Sequence, residues 1–373
     1  MFQTTRWCLG LLALGLALTV GAQDFESTKK GAKRGDPQAL YDLGVMYRKG
    51  QNVSQNDTQA VMWYRKAADQ GHAQAQNNLG WMYATGSGVA QNDAEAVHWY
   101  RKAAEQGLAQ AQYNLGVMYE EGQGVEQSDA EAIAWFRKAA QQEDAQAQYN
   151  LAVMYYTGRG DVAQSDVEAV QWFRKAAEQG LAGAQNNLGV MYEKGQGVTQ
   201  DYAEAMQWFG KAAQQGNAQA QYNLAVMYAT GRGAAPNDEE AVHWFDKAAQ
   251  QGHAEAQYSL GAMYSTGRGV PKSHTEAAQW YLKAAQQGYA QAQYTIAARY
   301  VEGQGVARND AEAALWYLKA AQQGVAQAQY NLAVMYEKGQ GVPQSDADAL
   351  HWYRKAAQQG VAQASKKLKA LEK

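Results

Sequence analysis

The dipeptide Trp-Tyr or Trp-Phe returns at Trp63, Trp99, Trp135, Trp172, Trp208, Trp244, Trp280, Trp316 and Trp352. Every interval is 36 residues except that from Trp135 to Trp172, which is 37. A period of this length is the signature of supersecondary units stacked into an array, each burying its apolar face on its neighbours. Nine repeats then run over residues 36–360 of the 373. Composition agrees: the chain has 24 tyrosines and 11 tryptophans beside only 6 phenylalanines, and 37 glycines beside 4 prolines. A hydrophobic fraction of 46% with 18% charged residues is too core-rich for a disordered chain. Lys+Arg total 33 against 36 Asp+Glu, so no basic footprint for nucleic acid or anionic lipid exists.

Each unit reads as two helices. In the second repeat Leu79, Gly80, Met82 and Tyr83 fall at helical spacing, predicting a first helix over 73–85. Gly86-Ser87-Gly88 stops it, because glycine alone enters the left-handed region cheaply. Asp93 is expected to be the N-cap of the second helix, with Glu95 favoured by the helix dipole. Asp57, Asp129, Asp166, Asp238, Asp310 and Asp346 repeat that cap, while Tyr202 and His274 replace it. Ala96, Trp99, Tyr100, Ala103 and Ala104 form the buried stripe, and Gly107 closes the unit. Small residues such as Gly80 let the helices approach closely. The fold class expected is all-α: a superhelical α/α solenoid of nine 36–37-residue hairpins with capping helices.

The ends read differently. Residues 1–22 have Arg6, an apolar run from Trp7 to Val20 and small residues at Gly21-Ala22. This is the layout of a cleavable secretory signal, with cleavage after Ala22. The run is shorter than the roughly 20 residues of a membrane span, so no membrane insertion is expected after its removal. Cys8, the chain's one cysteine, falls inside it without a lipoprotein-type cleavage box, leaving a mature chain with neither disulfide nor thiolate metal site. The expected location is periplasmic or secreted. Residues 23–35 match the back half of a second helix and form an N-terminal cap. Residues 361–373 match a first helix but place Lys369 and Glu372 at core positions, as a solvated C-terminal cap and a monomer require.

Three segments of the second repeat carry a resemblance: Ala73-Gln74-Ala75-Gln76-Asn77-Asn78-Leu79-Gly80-Trp81-Met82-Tyr83, then Gly86-Ser87-Gly88-Val89, then Ala96-Val97-His98-Trp99-Tyr100-Arg101-Lys102-Ala103-Ala104. The pattern resembles the Sel1-like repeat, a relative of the tetratricopeptide repeat, across nearly the whole mature chain. The resemblance implies a right-handed α/α superhelix with its first helices on the concave side. It further implies a bacterial adaptor for protein complexes in envelope signalling, assembly or host contact. Fold alone does not fix function.

If first helices face a ligand, the second repeat offers Gln74, Asn77, Trp81 and Ala84 as a stripe, with Thr85 beside it. The position of Asn77 holds Tyr41, Tyr113, Tyr149, Tyr222, Tyr258, Tyr294 and Tyr330 elsewhere. Tyrosine supplies contact area and a hydroxyl at low entropic cost, which suits peptide recognition. A copied residue also serves a copied scaffold, so the same tyrosines can bridge adjacent first helices. Pattern breaks point to specificity. Trp81 replaces the valine of Val45, Val117 and Val153; Tyr156 replaces the glutamate of Glu120 and Glu193; Arg299 replaces the methionine of Met263 and Met335. Trp81 leads, because tryptophan is enriched in binding hot spots. The expected function is a non-catalytic scaffold holding a protein or peptide, with no cofactor.

Other chemistries fit less well. His98, His243 and His351 share one repeat position but lie in distant units, too far apart to share an ion. Relatives linked to penicillin binding and β-lactamase activity suggest a β-lactam or cell-wall-peptide hydrolase as an alternative. Those are cysteine-rich, and Ser27-Thr28-Lys29-Lys30 lacks the Ser-Asp-Asn and Lys-Thr-Gly partners such an enzyme needs. Loops such as Gly122-Gln123-Gly124 lack the third glycine and Lys-Ser/Thr of nucleotide-binding loops. Arg34-Gly35-Asp36 reads as a helix start, with Asp36 capping and Pro37 first in the helix. Arg159-Gly160-Asp161 in the longer fourth-repeat loop raises an adhesive reading, and with it a secreted binder of a host receptor. Asn52-Val53-Ser54 and Asn56-Asp57-Thr58 match the glycosylation pattern, which carries little weight in a bacterial protein.

Overall fold

The computed structural model describes residues 25–160 and 162–371. The segment 1–22 expected to be a signal, Cys8, Asp161 and Glu372 lie outside them. All regular structure among the described residues is helical, and none of these helices is long and apolar enough to cross a membrane. The chain divides into two compact units. In unit 1, residues 1–184 with 196–198, the first described helix is α1 (Phe25–Lys33). First helices α2 (Pro37–Lys49), α4 (Ala73–Thr85), α6 (Ala109–Glu121) and α8 (Ala145–Thr157) alternate with second helices α3 (Asp57–Ala68), α5 (Asp93–Glu105), α7 (Asp129–Gln141) and α9 (Asp166–Glu178). The division falls within α10 (Ala182–Lys194).

Unit 2, residues 185–195 with 199–373, has second helices α11 (Tyr202–Gln214), α13 (Asp238–Gln250), α15 (His274–Gln286), α17 (Asp310–Gln322) and α19 (Asp346–Gln358). Its first helices are α12 (Ala218–Thr230), α14 (Ala254–Thr266), α16 (Ala290–Glu302) and α18 (Ala326–Lys338), and α20 (Ala362–Leu371) closes it. Within each unit, consecutive helices pack on one another.

The expected cap is corrected by one residue. Asp93 is the first helical residue, and the N-cap is Asn92, extended at φ −154° and accepting from the Glu95 backbone N–H. Asn56, Ser128, Ser165, Asp201, Asn237, Ser273, Asn309 and Ser345 do the same in the other repeats. The aspartate still has a physical use, as a negative charge in the first turn.

Close packing explains the small residues. Tyr100 is fully buried, and a methyl added at Gly80 would sit 2.8 Å from its ring. The second glycine of each loop has a different reason: at Gly124, φ is +68° and a side chain would overlap the Asp93 backbone of the preceding repeat.

Buried glutamines fix the register between repeats. Gln76 donates to the carbonyl of Ala68 at 3.0 Å and accepts from the Gln106 amide at 2.7 Å. The pair recurs in unit 1 as Gln142 to Gln112 and Gln179 to Gln148, both 2.8 Å. In unit 2 it recurs as Gln215 to Gln185, Gln251 to Gln221, Gln287 to Gln257, Gln323 to Gln293 and Gln359 to Gln329. The accepting glutamine of each pair is buried and the donating one lies at the surface, so losing the carbonyl or the amide partner would leave the buried side chain unsatisfied.

Candidate functional site

On the first-helix face of unit 1, Trp81 is partly exposed. The Arg48 guanidinium of the preceding repeat sits 3.9 Å from the centre of its ring. Such a cation–π contact contributes about 0.5–1 kcal/mol near a surface and holds both planes in place. Asn77 lies one turn earlier, where its side-chain oxygen accepts from Asn114 at 3.0 Å. Gln74 and Thr85 are exposed on the same helix, whereas Ala84 is buried.

The tyrosines are partly buried, each against an aromatic of its own second helix. In unit 1 the ring centroids are 5.9 Å apart for Tyr41–Tyr64, 5.8 Å for Tyr113–Phe136 and 5.7 Å for Tyr149–Phe173. In unit 2 the spacings are 5.8 Å for Tyr222–Phe245, 5.4 Å for Tyr258–Tyr281, 5.8 Å for Tyr294–Tyr317 and 5.8 Å for Tyr330–Tyr353. The next repeat also reaches some of these rings. His72 stacks on Tyr41 at 4.7 Å, His253 on Tyr222 at 4.8 Å, and Tyr289 lies 5.3 Å from Tyr258. Where asparagine replaces the tyrosine, a side-chain hydrogen bond does the bridging: Asn114 donates to Asn77, and Asn223 to Asn186, both at 3.0 Å. Burial pushes the phenols of Tyr41, Tyr113 and Tyr222 above their ordinary value, so they stay neutral. These rings therefore tie the two helices of each hairpin together, Tyr41, Tyr222 and Tyr258 also meet the next repeat, and part of each ring is left to solvent.

The other pattern breaks are engaged within the array. The Tyr156 hydroxyl donates to Gln196 at 3.4 Å. Arg299 donates to Gln304 at 2.6 Å and Ser265 at 2.7 Å, meets His274 Nδ1 at 3.2 Å, and lies 5.7 Å from the Tyr281 ring. Arg159 bonds both Asp129 oxygens, at 2.7 and 3.3 Å, and Glu120 at 2.9 Å. That grip occupies the arginine of the second Arg-Gly-Asp tripeptide. In the first tripeptide Asp36 caps α2 with Pro37 beside it, as expected.

The residues raised for catalysis or metal binding are scattered. Ser27 is exposed on α1 beside buried Thr28. His98, His243 and His351 are exposed, each edge-on to the next tryptophan at 5.1 Å. Among the described residues, no three His, Cys, Asp or Glu side chains are grouped to hold a metal ion.

The Sel1 repeat model matches nine consecutive segments, 37–72, 73–108, 109–144, 145–181, 182–217, 218–253, 254–289, 290–325 and 326–361. The chain belongs to the Sel1 repeat family. Among solved structures it is similar to a protective antigen present in uropathogenic Escherichia coli strains that displays an SLR fold. That likeness has 37% identity and a TM-score of 0.77, over 93% of this chain and 82% of the other. It is similar also to a Sel1 repeat protein from Oxalobacter formigenes, at 36% identity and a TM-score of 0.66, over 83% of this chain and 89% of that one. No curated protein matches the chain.

Sel1 repeat proteins generally mediate protein–protein interaction, and their scaffold is typically non-catalytic. Arg48 is a candidate residue that the repeat pattern alone does not single out. It stands in the first repeat where Ala84, Glu120 and Glu193 stand later. The glutamine ladder was missed for the opposite reason: its members vary too little to attract notice.

Proposed function

We propose that this Sel1 repeat chain is an exported, non-catalytic scaffold that binds a protein or peptide segment along the first helices of unit 1. The observation that carries the reading is the Arg48–Trp81 pair, a large aromatic and a cation held together on a partly exposed face. Tryptophan and arginine are the residues most enriched in binding hot spots. Asn77, Tyr113 and Tyr149 extend the surface along the same unit, with Tyr156 at its far side. Tyr222, Tyr258, Tyr294, Tyr330 and Arg299 offer a second surface in unit 2. Export rests on the signal-like segment 1–22, and the mature chain acts as a monomer without a cofactor.

The test is cross-linked capture from envelope and medium fractions, using the native mature chain beside Trp81→Val. Valine is the array's own residue at this position, so the variant keeps the helix. A protein captured by the native chain and at least about tenfold less by Trp81→Val supports the reading; equal capture removes Trp81 from the site.

The likeness to a protective antigen favours a second reading, in which the chain faces a host and binds a host protein. Partition decides between the two: medium for the host-facing role, periplasm for an envelope adaptor.

A further inference from the structure

Second helices carry a separate surface, independent of the Trp81 reading. In unit 1 an arginine on each of three second helices reaches the next repeat and donates to a tyrosine hydroxyl. Arg101 bonds Tyr119 at 2.9 Å, Arg137 bonds Tyr155 at 3.0 Å, and Arg65 bonds Tyr83. In unit 2 the equivalent tyrosine survives as Tyr228, but Gly210 stands where the arginine would be.

Gly210 lies inside α11, where glycine disfavours the helix, and no neighbour requires it: a Cβ built there has no atom within 4 Å. Gly210 borders a groove of about 420 Å³, lined also by Met206, Gln207, Gln214, Tyr228 and Trp244. We propose that this groove receives an arginine side chain from a partner protein, in the place the chain's own arginine fills in unit 1.

The lining suits that guest and carries no formal charge. Met206 and Trp244 offer apolar surface for the aliphatic stem and a face for the planar guanidinium. The Tyr228 hydroxyl and the amide oxygens of Gln207 and Gln214 offer acceptors. Lys247 lies 4.5 Å from the Trp244 ring, but unit 1 tolerates the same neighbour: Lys138 sits 3.8 Å from Trp135 in the repeat that Arg101 reaches. An aliphatic side chain at the equivalent position does not close the space, since Leu282 itself lines a groove of about 580 Å³ with Tyr300 and Trp316.

The experiment follows the Met206 methyl resonance of the full-length, methyl-labelled chain, identified through Met206→Leu. N-acetyl-arginine amide is titrated beside N-acetyl-lysine amide and N-acetyl-leucine amide. The arginine amide is expected to shift Met206 saturably and bind at least about fivefold more tightly than either other amide, since only it presents a planar fork of donors. Tyr228→Phe should weaken that binding with helical circular dichroism unchanged. Gly210→Arg should abolish it and raise the melting temperature. No saturable shift, equal binding of the leucine amide, or undiminished binding by Gly210→Arg would each overturn the assignment.

Discussion

Units 1 and 2 present the same tyrosine near the end of successive first helices and offer it different partners. In unit 1, Arg65, Arg101 and Arg137 answer Tyr83, Tyr119 and Tyr155. In unit 2 the same position holds Gly210, Asp246, Leu282 and Leu318, and the last repeat alone keeps an arginine there, Arg354. The backbone does not depend on that bond: α11, α13, α15 and α17 keep the length and caps of α5, α7 and α9. Buried glutamines and loop glycines recur in both units and set the register, so the arginine position is free to diversify. The frame and the surface are separable.

That separation can be broken at its strongest point first. Gly124→Ala in unit 1 and Gly269→Ala in unit 2 put a methyl into the preceding repeat's backbone at φ +68° and +67°. Each should cost roughly 3 kcal/mol or more in urea unfolding, through steric overlap and left-handed strain together. A unit that accepts the methyl without loss does not share the frame.

Glu143 sharpens the same point with opposite sign. It has φ +67° where Gly71, Gly107 and Gly180 stand in neighbouring repeats. Glu143→Gly should stabilise unit 1 by about 1 kcal/mol, read as a raised urea midpoint at unchanged m-value.

A smaller, pH-dependent effect should appear in both units. His72 and His253 cap α4 and α14 through Nδ1, accepting from the Ala75 and Ala256 backbone N–H groups. Burial lowers both imidazole pKa values below 6.5, opposed by Asp42 near His72 and Glu255 near His253. The unfolded chain therefore binds more protons than the folded one as pH falls through 6.5. The contribution of these caps is full above that pH and fades below it. Discounted for solvent screening, the loss is less than about 1 kcal/mol for the pair. The double variant His72→Asn/His253→Asn, with the residue that Asn217 supplies at this position, should flatten the fall in stability between pH 7.5 and 5.5.

The smallest effect is expected at the position that differs. Arg101→Leu should cost about 0.5 kcal/mol, the low end for a half-buried side-chain hydrogen bond. A loss several times larger would make the arginine part of the frame and end the comparison.

The fold was legible because an aromatic pair and a glycine stop return in all nine repeats, at 36 residues save for one interval of 37. The cap was misplaced because Asn92 and Asp93 are both capping residue types, and only the extended backbone at Asn92 separates them. Trp81 was legible as an exception among valines. Its partner Arg48 belongs to the preceding repeat, and spacing within one unit cannot reveal a contact made between two. The tyrosines looked like a ligand stripe, yet their packing on Phe136, Phe173 and Phe245 was hidden because those phenylalanines sit on the second helix of the same hairpin.

The most direct test is the affinity of the captured partner for three chains: native, Trp81→Val and Gly210→Arg. If the first helices of unit 1 hold the partner, Trp81→Val binds at least about tenfold more weakly and Gly210→Arg binds as the native chain does. Native affinity in Trp81→Val, with loss confined to Gly210→Arg, would contradict that account and move recognition to the second-helix groove of unit 2.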